Sequence, residues 1–230
     1  ILIFTINIFI FRKLDIKWVP TFRSLDKNIV KILLAFSLMA LVSGFVTPAM
    51  QILVRDKIIA DFGTQSAGYW QAVTKISDYY LGFITTVLAV YYMPRLSEIQ
   101  SKPELRSEIL KGYKIILPAV GFIALMIWVF RDIIVHLLFT PEFLPMKPLF
   151  TFQLLGDFFK IGSWLLAYTM IAKAMTKAFI ITEIAFSVSF VALSYFFINR
   201  FGIIGATYSF CINYGLYWIL MFFIVKIQLK

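Results

Sequence analysis

The sequence has little of what an enzyme or a disulfide-bonded protein depends on. It contains one cysteine and one histidine in 230 residues. A single cysteine excludes an intrachain disulfide framework. With a single histidine as well, the chain offers few candidates for nucleophilic or metal catalysis. We find no metal-ligand cluster, no glycine-rich phosphate loop and no Ser/His/Asp arrangement. The sequence therefore predicts a protein that is not an enzyme and that binds no metal or cofactor.

Charge is also scarce. Only 15% of the residues are charged, whereas 61% are hydrophobic and 18% are aromatic. A typical soluble domain has about 25% charged and 45–50% apolar residues, so this composition predicts an integral membrane protein. The net charge of +10 does not indicate nucleic-acid binding, because the basic residues occupy connecting segments and form no stacking platform. Anionic lipid headgroups are the partners that we expect for them.

Long apolar runs predict an all-α membrane fold. A helical span takes about 20 residues, and the chain has six runs of that length. We predict spans near residues 29–54, 67–93, 113–130, 149–171, 178–198 and 201–225. Between the second and third runs, residues 94–112 are charged with a sparse apolar set, which predicts a short amphipathic helix on the membrane surface.

The first residues look like part of a helix. Residues 1–11 are apolar but too short to span a bilayer, and no basic leader precedes them. We interpret the chain as the C-terminal part of a longer protein. Residues 1–28 would then be a truncated transmembrane helix followed by a cytoplasmic linker, and residues 29–230 would form a six-helix lobe.

Basic residues alternate between the two sides of the predicted spans. By the positive-inside rule, loops rich in Lys and Arg are cytoplasmic. The rich segments lie near residues 12–31, 95–114, 173–177 and 226–230, and the poor ones carry only Arg55, Lys57, Arg131, Lys147 and Arg200. This alternation predicts a cytoplasmic C-terminus.

Two of the predicted spans carry charges near their centres. An ionised side chain at the bilayer centre costs about 2.5–3.5 kcal/mol on insertion scales, and such groups usually face a bundle interior or a wet cavity. Residues three or four apart share one helix face. By this spacing, Gln71, Lys75 and Asp78 form a polar stripe on the second span, and Gln153, Asp157, Lys160 and Trp164 form one on the fourth.

These stripes have a structural and a functional interpretation. In the structural one, each Lys–Asp pair neutralises itself and fixes helix packing. In the functional interpretation, the residues line a cavity for an anionic ligand. The presence of two stripes, together with Glu183 on a neighbouring span, favours this interpretation. We then expect Lys75, Lys160, Gln71, Gln153 and Trp164 to bind substrate, and Asp78, Asp157 and Glu183 to balance charge or couple to protons.

Three segments carry a family resemblance. AGYWQAVTKISDYYLGFITTVLAVYYMPRLSEI (67–99) and LLFTPEFLPMKPLFTFQLLGDFFKIGSWLLAY (137–168) resemble Wzx-type flippases of the O-antigen and enterobacterial common antigen (lipid III) branch. FGIIGATYSF (201–210) is similar to a looser pattern of the multidrug/oligosaccharidyl-lipid/polysaccharide exporter superfamily. The resemblance implies two six-helix lobes around a central cavity that opens alternately to each side of the bacterial inner membrane. It also implies an undecaprenyl-diphosphate-linked oligosaccharide as substrate.

The resemblance implies further partners, and other functions stay open. It suggests the N-terminal lobe of the same protein, membrane lipids, and a glycan polymerase with its chain-length machinery as partners. The alternatives are another exporter of the superfamily (a peptidoglycan-precursor flippase or a drug/cation antiporter) and a non-transporting scaffold of a glycan assembly complex. A membrane-embedded polymerase or ligase would need a larger outer loop than this chain has.

Overall fold

All the elements that the structure describes are helices. The computed structural model describes residues 26–228, apart from the side chains of Asn28 and Gln228. The elements are α1 (Lys27–Val87), a π-helix (Leu88–Tyr92), α2 (Met93–Glu98), α3 (Lys102–Val129), α4 (Arg131–Leu138), a 3₁₀-helix (Pro141–Met146), α5 (Leu149–Ala172), α6 (Thr176–Phe201) and α7 (Ile204–Gln228). The chain divides into two compact units, residues 1–34 and 35–230, and apart from the first residues of α1 the features below lie in the second. Nearly all of the truncated helix and linker predicted over residues 1–28 lies outside the described residues.

Five described helices are long and apolar enough to cross a membrane, when the continuous run Ile29–Glu98 is counted once. That run contains a break at Gly63, whose φ of 81° and ψ of 171° are not helical. A straight helix of 61 residues would be about 90 Å long, three times the bilayer core of about 30 Å. Gly63 divides this run into two helical segments, and the predicted spans 29–54 and 67–93 lie on either side of it.

The break depends on a backbone conformation that is essentially restricted to glycine. We expect Gly63→Ala to destabilise the protein by about 1–3 kcal/mol, although a Cβ there would meet no atom within 4 Å. Gly68→Ala is the matched control, because Gly68 is helical and equally open. Alanine at that position should be neutral or stabilising by about 0.5–1 kcal/mol. Thermal unfolding in detergent measures both, and equal effects would contradict the strain argument.

The prediction of one amphipathic surface helix over residues 94–112 is wrong. Pro94 to Glu98 end the preceding helical run, Ile99 is extended (φ −69°, ψ 124°), and a new helix begins at Lys102. Ser101 caps that helix by accepting a hydrogen bond from the Glu104 N–H at 3.4 Å. The third span therefore begins within the polar segment, and α3 is 28 residues long.

Helix α5 lies at the centre of the fold. It packs against α3, α6 and α7, most extensively against α7, and it is the most deeply buried of the candidate spans. Glycines allow the close approach to α7: a Cβ at Gly156 would lie 2.4 Å from Phe210 Cδ1, and a Cβ at Gly162 would lie 2.7 Å from Trp218 Cε2. The polar side chains of α5 are thereby held inside the helix bundle.

Candidate functional site

A cavity of about 370 Å³ opens between four helices. Its walls come from α1, α5, α6 and α7, and most of its lining is apolar or aromatic. Of the eight side chains that the sequence predicts for the site, five line this cavity: Asp78, Gln153, Lys160, Trp164 and Glu183. The fold thus brings together residues from both polar stripes and from the neighbouring span.

Lys160 is the cation of this cavity. It lies at the middle of α5, about 17 Å along the helix from either end. Its Nζ faces three aromatic rings, at 5.0 Å from the centroid of Trp164, 5.7 Å from Tyr214 and 5.8 Å from Phe210. Cation–π contacts of this kind contribute about 0.5–2 kcal/mol each. Lys160 makes none of the ion pairs found within residues 26–228, so aromatic faces, rather than a carboxylate, hold this ammonium group.

Two carboxylates share the cavity with Lys160. Glu183 is half-buried and accepts a hydrogen bond from Thr47 Oγ1 at 3.4 Å. Asp78 makes the expected pair with Lys75, with Oδ2 and Nζ 3.6 Å apart. Within residues 26–228, no three His, Cys, Asp or Glu side chains are grouped so that they could hold a metal ion. The cavity therefore combines one cation, two anions and a largely aromatic wall.

Asp157 lies outside the cavity lining and does not pair with Lys160. The structural interpretation paired these two residues locally. That pair does not form, since no oxygen of Asp157 lies within 4.0 Å of Lys160 Nζ in the described structure. Asp157 is fully buried. Tyr80 Oη donates to its Oδ2 at 2.9 Å, and Gln153 Nε2 donates to its Oδ1 at 3.4 Å. Asp157 thus connects α5 to α1.

We expect Asp157 to matter more for stability than the Lys75–Asp78 pair. Asp157→Ala leaves a half-buried donor on Tyr80 and a buried donor on Gln153 without their acceptor, which costs about 1–3 kcal/mol. Lys75→Ala removes only an ion pair whose side chains are 68% and 40% exposed, and exposed pairs contribute about 0–1 kcal/mol. Thermal unfolding in detergent should rank the two variants in that order. The reverse order would show that Asp157 is not a structural link.

Lys75 and Gln71 lie in a smaller neighbouring groove. They line it together with Pro48 and Arg55, whereas Asp78 lines both spaces. The side chains of Gln71 and Lys75 are both exposed. The stripe on the second span is therefore divided between the cavity and this adjoining groove, and Lys75 does not share the surroundings of Lys160.

Sequence reasoning missed the residues of α7. Phe210, Tyr214 and Tyr217 line the cavity, and so does Asn213. Asn213 is buried, and its Oδ1 has no hydrogen-bond partner within the described residues. The three aromatic residues follow the i, i+4, i+7 spacing of one helix face. That spacing was a signal for a shared face, although it could not show that the face meets Lys160.

Sequence comparison assigns the family. The family described as polysaccharide biosynthesis proteins matches residues 2–148. This chain belongs to that family. It is also 34% identical over 195 residues to the lipid III flippases of Escherichia coli (strain K12) and Shigella flexneri. The match covers 85% of this chain and 47% of each relative, so the chain spans about half the length of the curated relatives that it matches.

A solved structure shares the fold. It is the outward-facing conformation of a multidrug resistance MATE family transporter of the MOP superfamily, with a TM-score of 0.78. The likeness covers 92% of this chain and 49% of that transporter, at 13% sequence identity. The all-helical membrane fold of this family member is therefore that of about half of a MOP-superfamily transporter.

Proposed function

We propose that the protein flips a polyprenyl-diphosphate-linked oligosaccharide across the membrane. The observation that supports this most directly is Lys160, a cation in the middle of a spanning helix, facing a cavity, and held by aromatic rings instead of a carboxylate. A half-buried cation without a fixed counter-ion is suited to an anion that must enter and leave. The relatives at 34% identity are lipid III flippases, and a lipid-linked glycan is the substrate class that we infer from them.

Lys160 would attract the diphosphate of the substrate. Opposite charges 4 Å apart interact by about 4 kcal/mol at an effective dielectric constant of 20, compared with about 1 kcal/mol in water. Glu183 and Asp78 limit this attraction, because both carboxylates line the same cavity. A cavity with both signs of charge would bind the diphosphate firmly enough to select it and weakly enough to release it.

The aromatic wall would hold the sugars. Trp164, Tyr214 and Tyr217 line the cavity, and sugar rings would stack on such side chains. Asn213 lies in the same lining and adds a polar side chain to it. The polyprenyl tail would stay in the lipid. We propose that Gln71 and Lys75, in the adjoining groove, contact the outer part of the headgroup.

The remainder of the proposed arrangement follows from the resemblance and from the charge alternation. The protein would sit in the bacterial inner membrane with a cytoplasmic C-terminus, as a transporter without catalytic activity. A second lobe would close the cavity and alternate its access. A glycan polymerase and its chain-length machinery would act on the flipped product. Asp78, Asp157 and Glu183 would supply the charge balance, with Glu183 or an aspartate coupling to protons.

One observation favours a second candidate, the export of organic cations. The cavity holds two carboxylates to one lysine, and its wall is aromatic, as cation recognition requires. The two candidates differ in their expectation for Lys160. A cation exporter should gain affinity when this positive charge is removed, whereas a diphosphate flippase should lose activity.

The test measures how fast the full-length protein, reconstituted in proteoliposomes, flips a labelled undecaprenyl-diphosphate oligosaccharide. Movement above that in empty vesicles supports the proposal. A matched lipid without the diphosphate should move at least tenfold more slowly, because it lacks the group that Lys160 would attract. Equal movement of both lipids, or movement of an organic cation alone, would contradict the proposal.

A further inference from the structure

A second large opening lies on the outside of the helix bundle, between α3 and the end of α7. We call it the α3/α7 groove, and its volume is about 1050 Å³. It shares no lining residue with the cavity that contains Lys160. What occupies it is therefore a question separate from transport through the cavity.

The two ends of the groove differ in chemistry. Lys102 and Arg106 stand at the beginning of α3, and Lys226 stands at the end of α7, so the antiparallel helices place all three cations at one end. Toward the other end the walls are apolar, with Leu110, Leu166 and Ile219 among them. Such an arrangement matches a molecule that has an anionic head and a hydrocarbon body.

The three cations are available to bind an anion. Within residues 26–228, none of them forms an ion pair or donates a side-chain hydrogen bond, and all three are exposed. Lys226 Nζ lies 5.9 Å from the centroid of the Phe222 ring, a contact that leaves its charge without a counter-ion. The acidic residues of the same segment are engaged elsewhere. Glu104 pairs with Arg95 at 3.2 Å, and Glu108 pairs with Lys111 at 3.4 Å. Neither carboxylate lines the groove, so its charged end is purely basic.

A hydrogen-bonded aromatic pair lies deeper in the groove. Tyr113 and Trp218 both line it, and their rings stack with centroids 6.1 Å apart at an angle of 6°. Trp218 Nε1 donates to Tyr113 Oη at 2.8 Å, and Tyr113 Oη donates to the carbonyl of Gly162 on α5 at 2.6 Å. This fixes a floor of the groove against the central helix.

The length of the groove matches one leaflet of a bilayer. Lys102 precedes Tyr113 by 11 positions and Lys226 follows Trp218 by 8. At 1.5 Å per residue, the cations lie about 16 Å and 12 Å along the helices from the aromatic pair. Half of the hydrocarbon core is about 15 Å. A lipid with its phosphate at the cations would reach the aromatic pair with its acyl chain.

We propose that the α3/α7 groove is a binding site for an anionic phospholipid. The phosphodiester lies against Lys102, Arg106 and Lys226, and an acyl chain lies along Leu110 and Phe222. Basic residues beside a membrane surface attract anionic lipids, and the apolar wall adds a site of defined shape. A polyprenyl phosphate and free phosphate share part of this chemistry, and the test separates them from a phospholipid.

The experiment is native mass spectrometry of the delipidated full-length protein. The protein is titrated with dioleoyl-phosphatidylglycerol or with dioleoyl-phosphatidylcholine. We expect phosphatidylglycerol to bind at least tenfold more tightly. The double variant Arg106→Gln/Lys226→Gln should reduce that preference to less than threefold. Lys114→Gln/Lys177→Gln is the matched control, because it removes the same charge from exposed positions outside the groove, and it should preserve the preference.

Further measurements in the same assay identify the molecule that binds in the groove. Leu110→Trp should fill the apolar part of the groove and weaken phosphatidylglycerol binding without changing charge. Equal binding of the two phospholipids, or an unchanged preference in the groove variant, would overturn the proposal. So would glycerol phosphate binding as tightly as the intact lipid, or undecaprenyl phosphate binding more tightly at the same residues. Because none of these readouts measures transport, failure of the flippase proposal would leave them unaffected.

Discussion

Replacing Lys160 with methionine is expected to reduce flipping at least tenfold while leaving the protein about as stable. The loss follows from removal of the one cation that lines the cavity among the described residues, since 1.4 kcal/mol of lost interaction corresponds to a factor of ten. The stability follows from the cost of a charge at the bilayer centre, about 2.5–3.5 kcal/mol. Methionine also loses the three cation–π contacts, about 0.5–2 kcal/mol each, so the gain and the loss are of similar size. Flipping in proteoliposomes and thermal unfolding in detergent measure the two effects separately.

Two variants sharpen this result. Lys160→Arg keeps the charge and the aromatic contacts, so it should retain more activity than Lys160→Met. Lys75→Met removes a lysine of the same kind from the adjoining groove, outside the cavity, and should have a smaller effect. If Lys160→Met flips its substrate at the wild-type rate, the proposed role of Lys160 toward the diphosphate is wrong.

Adding a single methyl group at Gly156 is expected to damage both packing and transport. The Cβ of Gly156→Ala would lie 2.4 Å from Phe210 Cδ1 and 3.1 Å from the backbone Cα of Cys211. The ring of Phe210 must then move, or α5 and α7 must separate, and overpacking of this kind costs about 1–3 kcal/mol. Since Phe210 also contacts Lys160, the displacement alters the cation's surroundings. We expect a lower unfolding temperature together with reduced flipping.

Gly121→Ala is the control for this variant. Gly121 is also inside a helix, but its added Cβ would make only an ordinary contact, 3.6 Å from Phe158 Cε2. Alanine in a helix interior is favoured over glycine by about 0.5–1 kcal/mol. The two substitutions should therefore change the unfolding temperature in opposite directions. A neutral Gly156→Ala would mean that α5 and α7 are farther apart than the structure places them.

The apolar runs predicted the helices well, because span length is imposed by the bilayer and not by tertiary contacts. The run 149–171 became Leu149–Ala172, and the run 178–198 became Thr176–Phe201. The errors concern polar connections. The Ser101 cap lies inside the segment that was predicted as one surface helix, and a Ser followed three residues later by Glu is a recognisable helix start.

Side-chain direction within the site was less predictable. Residues three apart on a helix differ by about 60° around its axis, so Asp157 and Lys160 share a broad face without sharing surroundings. In the structure, Lys160 lines the cavity, whereas Asp157 accepts a hydrogen bond from Tyr80 outside it. The rings around Lys160 come partly from α7. Which helix would supply them depends on the glycine contacts between α5 and α7, which one sequence does not specify.

The central position of α5 has a consequence for biosynthesis. Of the candidate spans it is the least hydrophobic and the most buried, and it carries Asp157 and Lys160 near its middle. Its most extensive partner, α7, begins 55 residues after α5 begins. At about 5–20 residues per second of synthesis, α5 leaves the ribosome about 3–11 s before that partner. During this interval its polar groups face the insertion machinery or α3, so α5 reaches its final place in the membrane only when α6 and α7 arrive.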